Sequence, residues 1–208
     1  MRRIDASKIV DALKKAYPSA RTELKHSNPF ELLIATILSA QTTDRTVNKV
    51  CPELFKKYPD PYSLSKADIK DIEEIVKPTG FYKQKARYIV ETSKILVEKF
   101  NGKVPDTMDK LLELKGVSRK TANVVLSNAF GKAEGIVVDT HVRRLVFRCG
   151  WTDSSNPEQI EEDLMGLFDK KDWNFLSNAL VLHGRYVCTA KKPLCDRCVI
   201  EKWCEKRI

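Results

Sequence analysis

The stretch Leu114-Lys115-Gly116-Val117-Ser118-Arg119-Lys120-Thr121-Ala122-Asn123-Val124-Val125 decides how the chain is read. A short helix ends at Leu114, a tight turn surrounds Gly116, and apolar residues at helical spacing resume beyond Ser118. This is the outline of a helix–hairpin–helix. Glycine takes positive φ at little cost. The amides around Gly116 and Ser118 then point outward together, an array that suits a phosphate oxygen and carries no sequence preference. Lys115 adds a candidate phosphate contact. An ordinary corner between two helices has the same outline, so the lysine that follows matters more. Lys120 lies in the first turn of a helix, where unpaired N–H groups and the dipole disfavour a cation. Its pKa is expected to fall, and a lysine so perturbed serves as a nucleophile or Schiff-base former. The commoner fate of a lone lysine is an exposed polar face.

The candidate partner is Asp139, between the apolar pair Val137-Val138 and the run THVRR. It suits a helix N-cap. A carboxylate near a sugar also stabilises an oxocarbenium-like centre or takes up a proton.

Around these residues the chain reads as helix after helix, about ten in all, with strict alternation nearly absent. Ile9, Leu13 and Tyr17 mark a first helix stopped by Pro18. Asn28-Pro29 opens a second, FELLIATILSAQ, apolar on nearly every side and so expected at the centre of the core. Asp44 is the candidate cap of a third. Ser65 and Asp68 suggest a capping box before Ile69, Ile72 and Val76. Further helices are expected over about 83–100, from a cap at Asp106 to Leu114, and over 119–130, 139–149, 157–168 and 172–187, with Gly135–Val138 extended. The fold class is all-α.

The chain has 208 residues, is 42% hydrophobic and carries a formal charge of +9. Such a chain buries a core, and its positive excess suits a polyanion such as nucleic acid. No apolar run is long enough to span a bilayer, and the N-terminus lacks the apolar core of a signal peptide. The expected setting is the cytoplasm, where disulfides are rare.

Six cysteines therefore need another explanation. Cys188, Cys195, Cys198 and Cys204 follow the pattern C-x6-C-x2-C-x5-C, compact enough to surround one centre. A structural zinc ion and an iron–sulfur cluster both fit four thiolates. Cys51 and Cys149 sit among apolar residues and read as core. Lys191 and Lys192 project from a loop that such a centre would pin, which suits phosphate; a solvated charge run is the plainer reading.

LKGVSRKTANVVL, VDTHVRR, LSAQTTD, LHGRY and the cysteine tail together resemble the endonuclease III family of helix–hairpin–helix DNA glycosylases, over about Ser27 to Cys204. The resemblance implies two helical domains: a six-helix domain at 22–132, and a cluster domain of 1–21 joined to 133–208. It implies a [4Fe-4S] cluster on the four cysteines, with Lys120 and Asp139 catalytic. It places Gln41 in the DNA stack where a damaged base has left, and Phe81 as an apolar wedge. It implies a bifunctional glycosylase and abasic-site lyase for oxidised or ring-saturated pyrimidines, working as a monomer on double-stranded DNA of a prokaryotic nucleoid. Two positions depart from the family's L-P-G-V-G turn: Lys115 replaces the proline and Ser118 the second glycine. If Ser118 needed positive φ, the turn would be strained by ~1 kcal/mol or more. The rivals are an adenine glycosylase, a monofunctional thymine glycosylase, and a DNA-binding module without catalysis.

Overall fold

The computed structural model describes residues 5–208. Among them are eleven α-helices and no strand. The chain divides into two compact units, one formed by Thr22–Phe130 and the other by Met1–Arg21 with Gly131–Ile208.

The first unit holds α2 (Pro29–Leu38), α3 (Asp44–Lys57), α4 (Pro61–Ser65), α5 (Ile69–Val76), α6 (Tyr82–Phe100), α7 (Met108–Leu112) and α8 (Arg119–Phe130). Asn28 caps α2 by accepting from the Glu31 amide, with Pro29 at the first helical position. Every residue from Leu32 to Leu38 is buried, as an all-round apolar helix requires. Its neighbours supply Val47, Leu54, Leu64, Ile72, Ile89 and Leu126 to the same core.

Several local expectations shift. Thr43 caps α3 through the Thr46 amide, so Asp44 becomes the first helical residue. Thr107 takes the cap position of α7, one residue beyond Asp106. The capping box forms at Asp60 and Ser63 on α4, while Ser65 ends α4 and Asp68 caps α5 alone. At α3 and α4 the cap goes to the neighbour whose side chain reaches a free amide, whereas Thr107 holds the cap position of α7 without a side-chain bond.

The bend between α7 and α8 has two constraints. Gly116 has φ +72°, and a Cβ built there would lie 2.7 Å from Cδ2 of Tyr88 on α6. Thr92 on α6 donates to the Lys115 carbonyl at 2.8 Å. Ser118 is absent from the positive-φ residues and accepts from the Thr121 amide at 3.3 Å. It therefore caps α8 without backbone strain, and the conditional cost of losing the second glycine does not arise.

The start of α6 buries a lysine. Lys85 is 4% exposed. Its ammonium donates to Thr42 Oγ1 at 2.7 Å and to the Thr79 carbonyl at 2.8 Å. Burial pulls its pKa down from 10.5 to about 8.

The second unit holds α1 (Ala6–Ala16), α9 (Thr140–Cys149), α10 (Pro157–Leu167) and α11 (Trp173–Tyr186). Ile9, Val10 and Leu13 of α1 join Val142, Leu145, Trp151, Leu164 and Leu180 in one core. Lys14 pairs with buried Asp172 at 2.7 Å. Gly184 on α11 lets α9 approach closely, since a Cβ there would meet the His141 carbonyl oxygen at 2.7 Å.

Gly116→Ala combines an unfavourable φ with a clash against Tyr88 and is expected to cost about 1–3 kcal/mol, read as a lower urea midpoint. Lys85 gives a pH signature. Its folded pKa lies below the unfolded 10.5, so the unfolded chain holds this proton more tightly. The buried charge costs stability below pH about 8, and that cost fades as pH rises toward 10.5. Unfolding midpoints of wild type and Lys85→Met, compared between those pH values, should diverge in favour of the wild type; parallel curves would contradict the burial penalty.

Candidate functional site

Lys120 belongs to the hairpin unit and Asp139 to the other. Lys120 is the second residue of α8, exposed, one turn from the Gly116 bend. Asp139 caps α9, accepting from the His141 amide at 2.8 Å and the Val142 amide at 2.9 Å. Both bonds go to Oδ1, which leaves Oδ2 for another partner. The segment Ile136–Val138, which leads into it, is irregular and buried, so the carboxylate is held from behind as well as by its cap. Burial lowers the pKa of the neighbouring His141.

Gln41 and Phe81 lie on two separate segments of the hairpin unit. Gln41 is exposed in the connection between α2 and α3, and Phe81 immediately precedes α6 and is 68% exposed. Both take the left-handed backbone conformation, φ 53° and 48°. This is uncommon for residues with a side chain and costs of order 1–3 kcal/mol each. Gly116 and Ser118 share the bend before Lys120, with Lys115 exposed beside them.

The four terminal cysteines line one open pocket, together with Cys149, Leu145, Val187 and Leu194. No three His, Cys, Asp or Glu side chains among the described residues are grouped to grip a single ion. Four thiols around one pocket are a donor set that fits either an iron–sulfur cluster or a zinc ion. Cys51 is buried in the hairpin core, as expected. Cys149 is buried in the core of its unit and also reaches the cavity wall.

Residues that motif spacing does not reveal hold this loop. Arg144 on α9 donates to the Cys188 and Gly184 carbonyls at 3.0 and 2.6 Å. Arg148 donates to the Thr189 and Ala190 carbonyls at 2.7 and 3.0 Å and reaches Cys188 Sγ at 3.5 Å. Thr189 Oγ1 donates to the Lys192 carbonyl at 2.6 Å. Exposed Lys191 and Lys192 thus ride on a backbone tied at both ends. His183 Nε2 lies 3.3 Å from Cys198 Sγ, and its Nδ1 lies 3.0 Å from the Tyr17 hydroxyl. Burial pulls the His183 ring down to about 4 and so keeps it neutral. The arginines stand some forty residues from the carbonyls they bind, where no local pattern exists to be read. Within the hairpin unit, Lys85 is equally unmarked.

Residues 34–170 match the HhH-GPD superfamily of base excision DNA repair proteins, and 188–204 match the iron–sulfur binding domain of endonuclease III. Endonuclease III of a Synechocystis strain is 49% identical over 96% of this chain and 91% of its own length. That of Escherichia coli K12 is 42% identical over 95% and 93%. Among solved structures, a non-covalent endonuclease III–DNA complex superposes with TM-score 0.90 at 41% identity, covering 96% of this chain and 94% of its own. A trapped endonuclease III–DNA covalent intermediate superposes with TM-score 0.89 at 41% identity, over 95% and 92%. The cysteine cavity fits the [4Fe-4S] cluster this match implies, and the chain belongs to the endonuclease III family of iron–sulfur-containing helix–hairpin–helix base excision DNA repair enzymes.

Proposed function

We propose that Lys120 and Asp139 carry the chemistry of this DNA glycosylase and abasic-site lyase, and that its substrates are oxidised or ring-saturated pyrimidines in double-stranded DNA. The observation that supports this most is Lys120 itself, a lysine in the first turn of the helix that leaves the Gly116 bend. A phosphate held by the bend amides brings the sugar of a neighbouring nucleotide toward that amine.

The steps follow from the accessibility of the reacting atoms. A base within a duplex is out of reach and is turned out of the stack, at a cost of about a few kcal/mol that is smaller for a damaged base. Gln41 and Phe81 fill the gap. An exposed phenylalanine gains apolar contact on stacking between bases and kinks the duplex as it enters. The neutral amine of Lys120 attacks C1′, and the glycosidic bond breaks with its electron pair leaving on the base. The carboxylate of Asp139 offsets the positive charge that develops at C1′. The sugar ring opens, and the imine formed with Lys120 acidifies the 2′ proton. Loss of that proton expels the 3′ phosphate, which is β-elimination. Hydrolysis of the imine restores the lysine.

Cys188, Cys195, Cys198 and Cys204 would hold the cluster, which would fix 188–204 in shape and supply no chemistry to these steps. The tied loop presents Lys191 and Lys192 to the DNA backbone, at less entropic cost than a free one. Thr22–Phe130 acts as the DNA-gripping part and the other unit as the cluster-bearing part. The chain works as a monomer on nucleoid DNA in a bacterial cytoplasm. Among the described residues no helix is long and apolar enough to cross a membrane.

Borohydride reduction on abasic duplex DNA should trap the wild type covalently. Lys120→Ala should give no adduct, whereas Lys115→Ala should still give one; an undiminished adduct from Lys120→Ala would remove the nucleophile. Asp139→Asn should lower excision by about 10²-fold or more, because the cap geometry survives but the charge does not. Replacing both Lys191 and Lys192 by alanine should flatten the plot of log affinity against log salt by about 0.9 for each phosphate that is no longer neutralised. An unchanged slope would place the loop away from the DNA.

A further inference from the structure

Lys85 is a buried cation that the chemistry above does not use. It lies in the first turn of α6, four residues after Phe81, and its own amide donates to the Phe81 carbonyl at 3.1 Å. Its ammonium reaches across to the other segment. Thr42, which accepts from it at 2.7 Å, follows Gln41 in sequence. Thr79, whose carbonyl accepts at 2.8 Å, lies two residues before Phe81 and is itself 2% exposed. Thr42 Oγ1 also donates to that same Thr79 carbonyl. One amine, one hydroxyl and one carbonyl therefore tie together the two segments that carry Gln41 and Phe81.

The backbone at both ends points the same way. Gln41 and Phe81 are both left-handed, and Gly80 beside Phe81 also has positive φ, 67°. Conformations of this kind persist where the surroundings over-determine them, and they gather at functional sites. A buried ammonium is costly unless its hydrogen bonds need it. A methionine would fill the same space without that cost, so the burden has to be offset by what the bonds fix.

We propose that Lys85 is a positioning residue that holds Gln41 and Phe81 in one fixed relative arrangement, so that both side chains enter the DNA stack together. This rests on the reading that those two side chains occupy the gap left by the extruded base. Lys85 touches neither substrate nor reacting atoms; it acts through Thr42 and Thr79. Without it each segment relaxes separately, and insertion of one no longer places the other. The cost then falls on base extrusion rather than on initial DNA binding, which the hairpin amides and basic loop supply.

The test uses the full chain with its cluster loaded and a duplex carrying 2-aminopurine next to a ring-saturated pyrimidine. Lys85→Met, Lys85→Arg, Gln41→Ala and Phe81→Ala are compared for the fluorescence rise on binding, single-turnover excision at saturating enzyme, and affinity for undamaged duplex. Lys85→Met should lower the excision rate by about tenfold or more and remove most of the fluorescence rise, since small misplacements of positioning groups cost rates of that order. Its affinity for undamaged duplex should change by less than about threefold, and Lys85→Arg should recover part of the rate. In a Gln41→Ala, Phe81→Ala background, Lys85→Met should add less than about threefold, because nothing is left to position. If Lys85→Met does not fold, Thr42→Val removes one tether alone and should show the same pattern more weakly. Wild-type behaviour of Gln41→Ala and Phe81→Ala would overturn the insertion reading itself. Impairment of those two with wild-type fluorescence and rate in Lys85→Met, or a full additive loss in the triple variant, would overturn the role of Lys85 and leave the insertion reading standing.

Discussion

The bend at Gly116 is the constraint on which the start of α8 depends. Positive φ there turns the chain back sharply, and the missing Cβ admits the ring of Tyr88. Thr92 fixes the Lys115 carbonyl from α6, and Ser118 caps the helix that follows. The result is a corner held by these contacts, and the first helical turn of α8 follows it directly. A phosphate held there has a defined distance to whatever the first turn of α8 carries, and it carries Lys120. The family's second glycine is unnecessary here because Ser118 keeps ordinary backbone geometry and contributes its hydroxyl to the cap. Only one position of the turn needs the freedom of glycine.

A second device recurs in both units: a cation on a helix collects acceptors from irregular segments elsewhere. Lys85 does this for the segments of Gln41 and Phe81. Arg144 and Arg148 on α9 do it for the cysteine loop, through Cys188, Thr189 and Ala190, with Arg144 also binding the Gly184 carbonyl on α11. A guanidinium with several fixed donors suits the several carbonyls of an irregular loop, and a lysine suits a compact pair of acceptors. Irregular segments have no ladder of their own to satisfy buried carbonyls. These side chains supply the missing donors and so set the shape of the parts expected to meet DNA. α9 then does two things at once, with Asp139 at its start and the loop anchors along its length.

Much of this is legible in the sequence. The bounds of α8 follow from Ser118 before it and Gly131 after it, and α2 shows itself as a core helix by lacking a polar face. The cysteine spacing points to a metal centre but leaves zinc and iron–sulfur open, and the family decides between them. The short helix α4 escapes sequence reading because five residues show no period; Ser65 and Asp68 suggest a capping box that Asp60 and Ser63 form instead. Lys85, Arg144, Arg148 and His183 are invisible as supports for a different reason. Their partners lie on other elements, and a side chain that bonds a distant acceptor leaves no trace in the residue type at the other end.

The central claim is that one amine, that of Lys120, bonds to the sugar carbon. Proteolysis of a borohydride-reduced complex with abasic DNA, followed by tandem mass spectrometry of the nucleotide-bearing peptide, locates the attachment directly. A deoxyribose remnant on Lys120 within the peptide that begins α8 is the expected result. A remnant on any other lysine, or on the α-amino group, would contradict the mechanism.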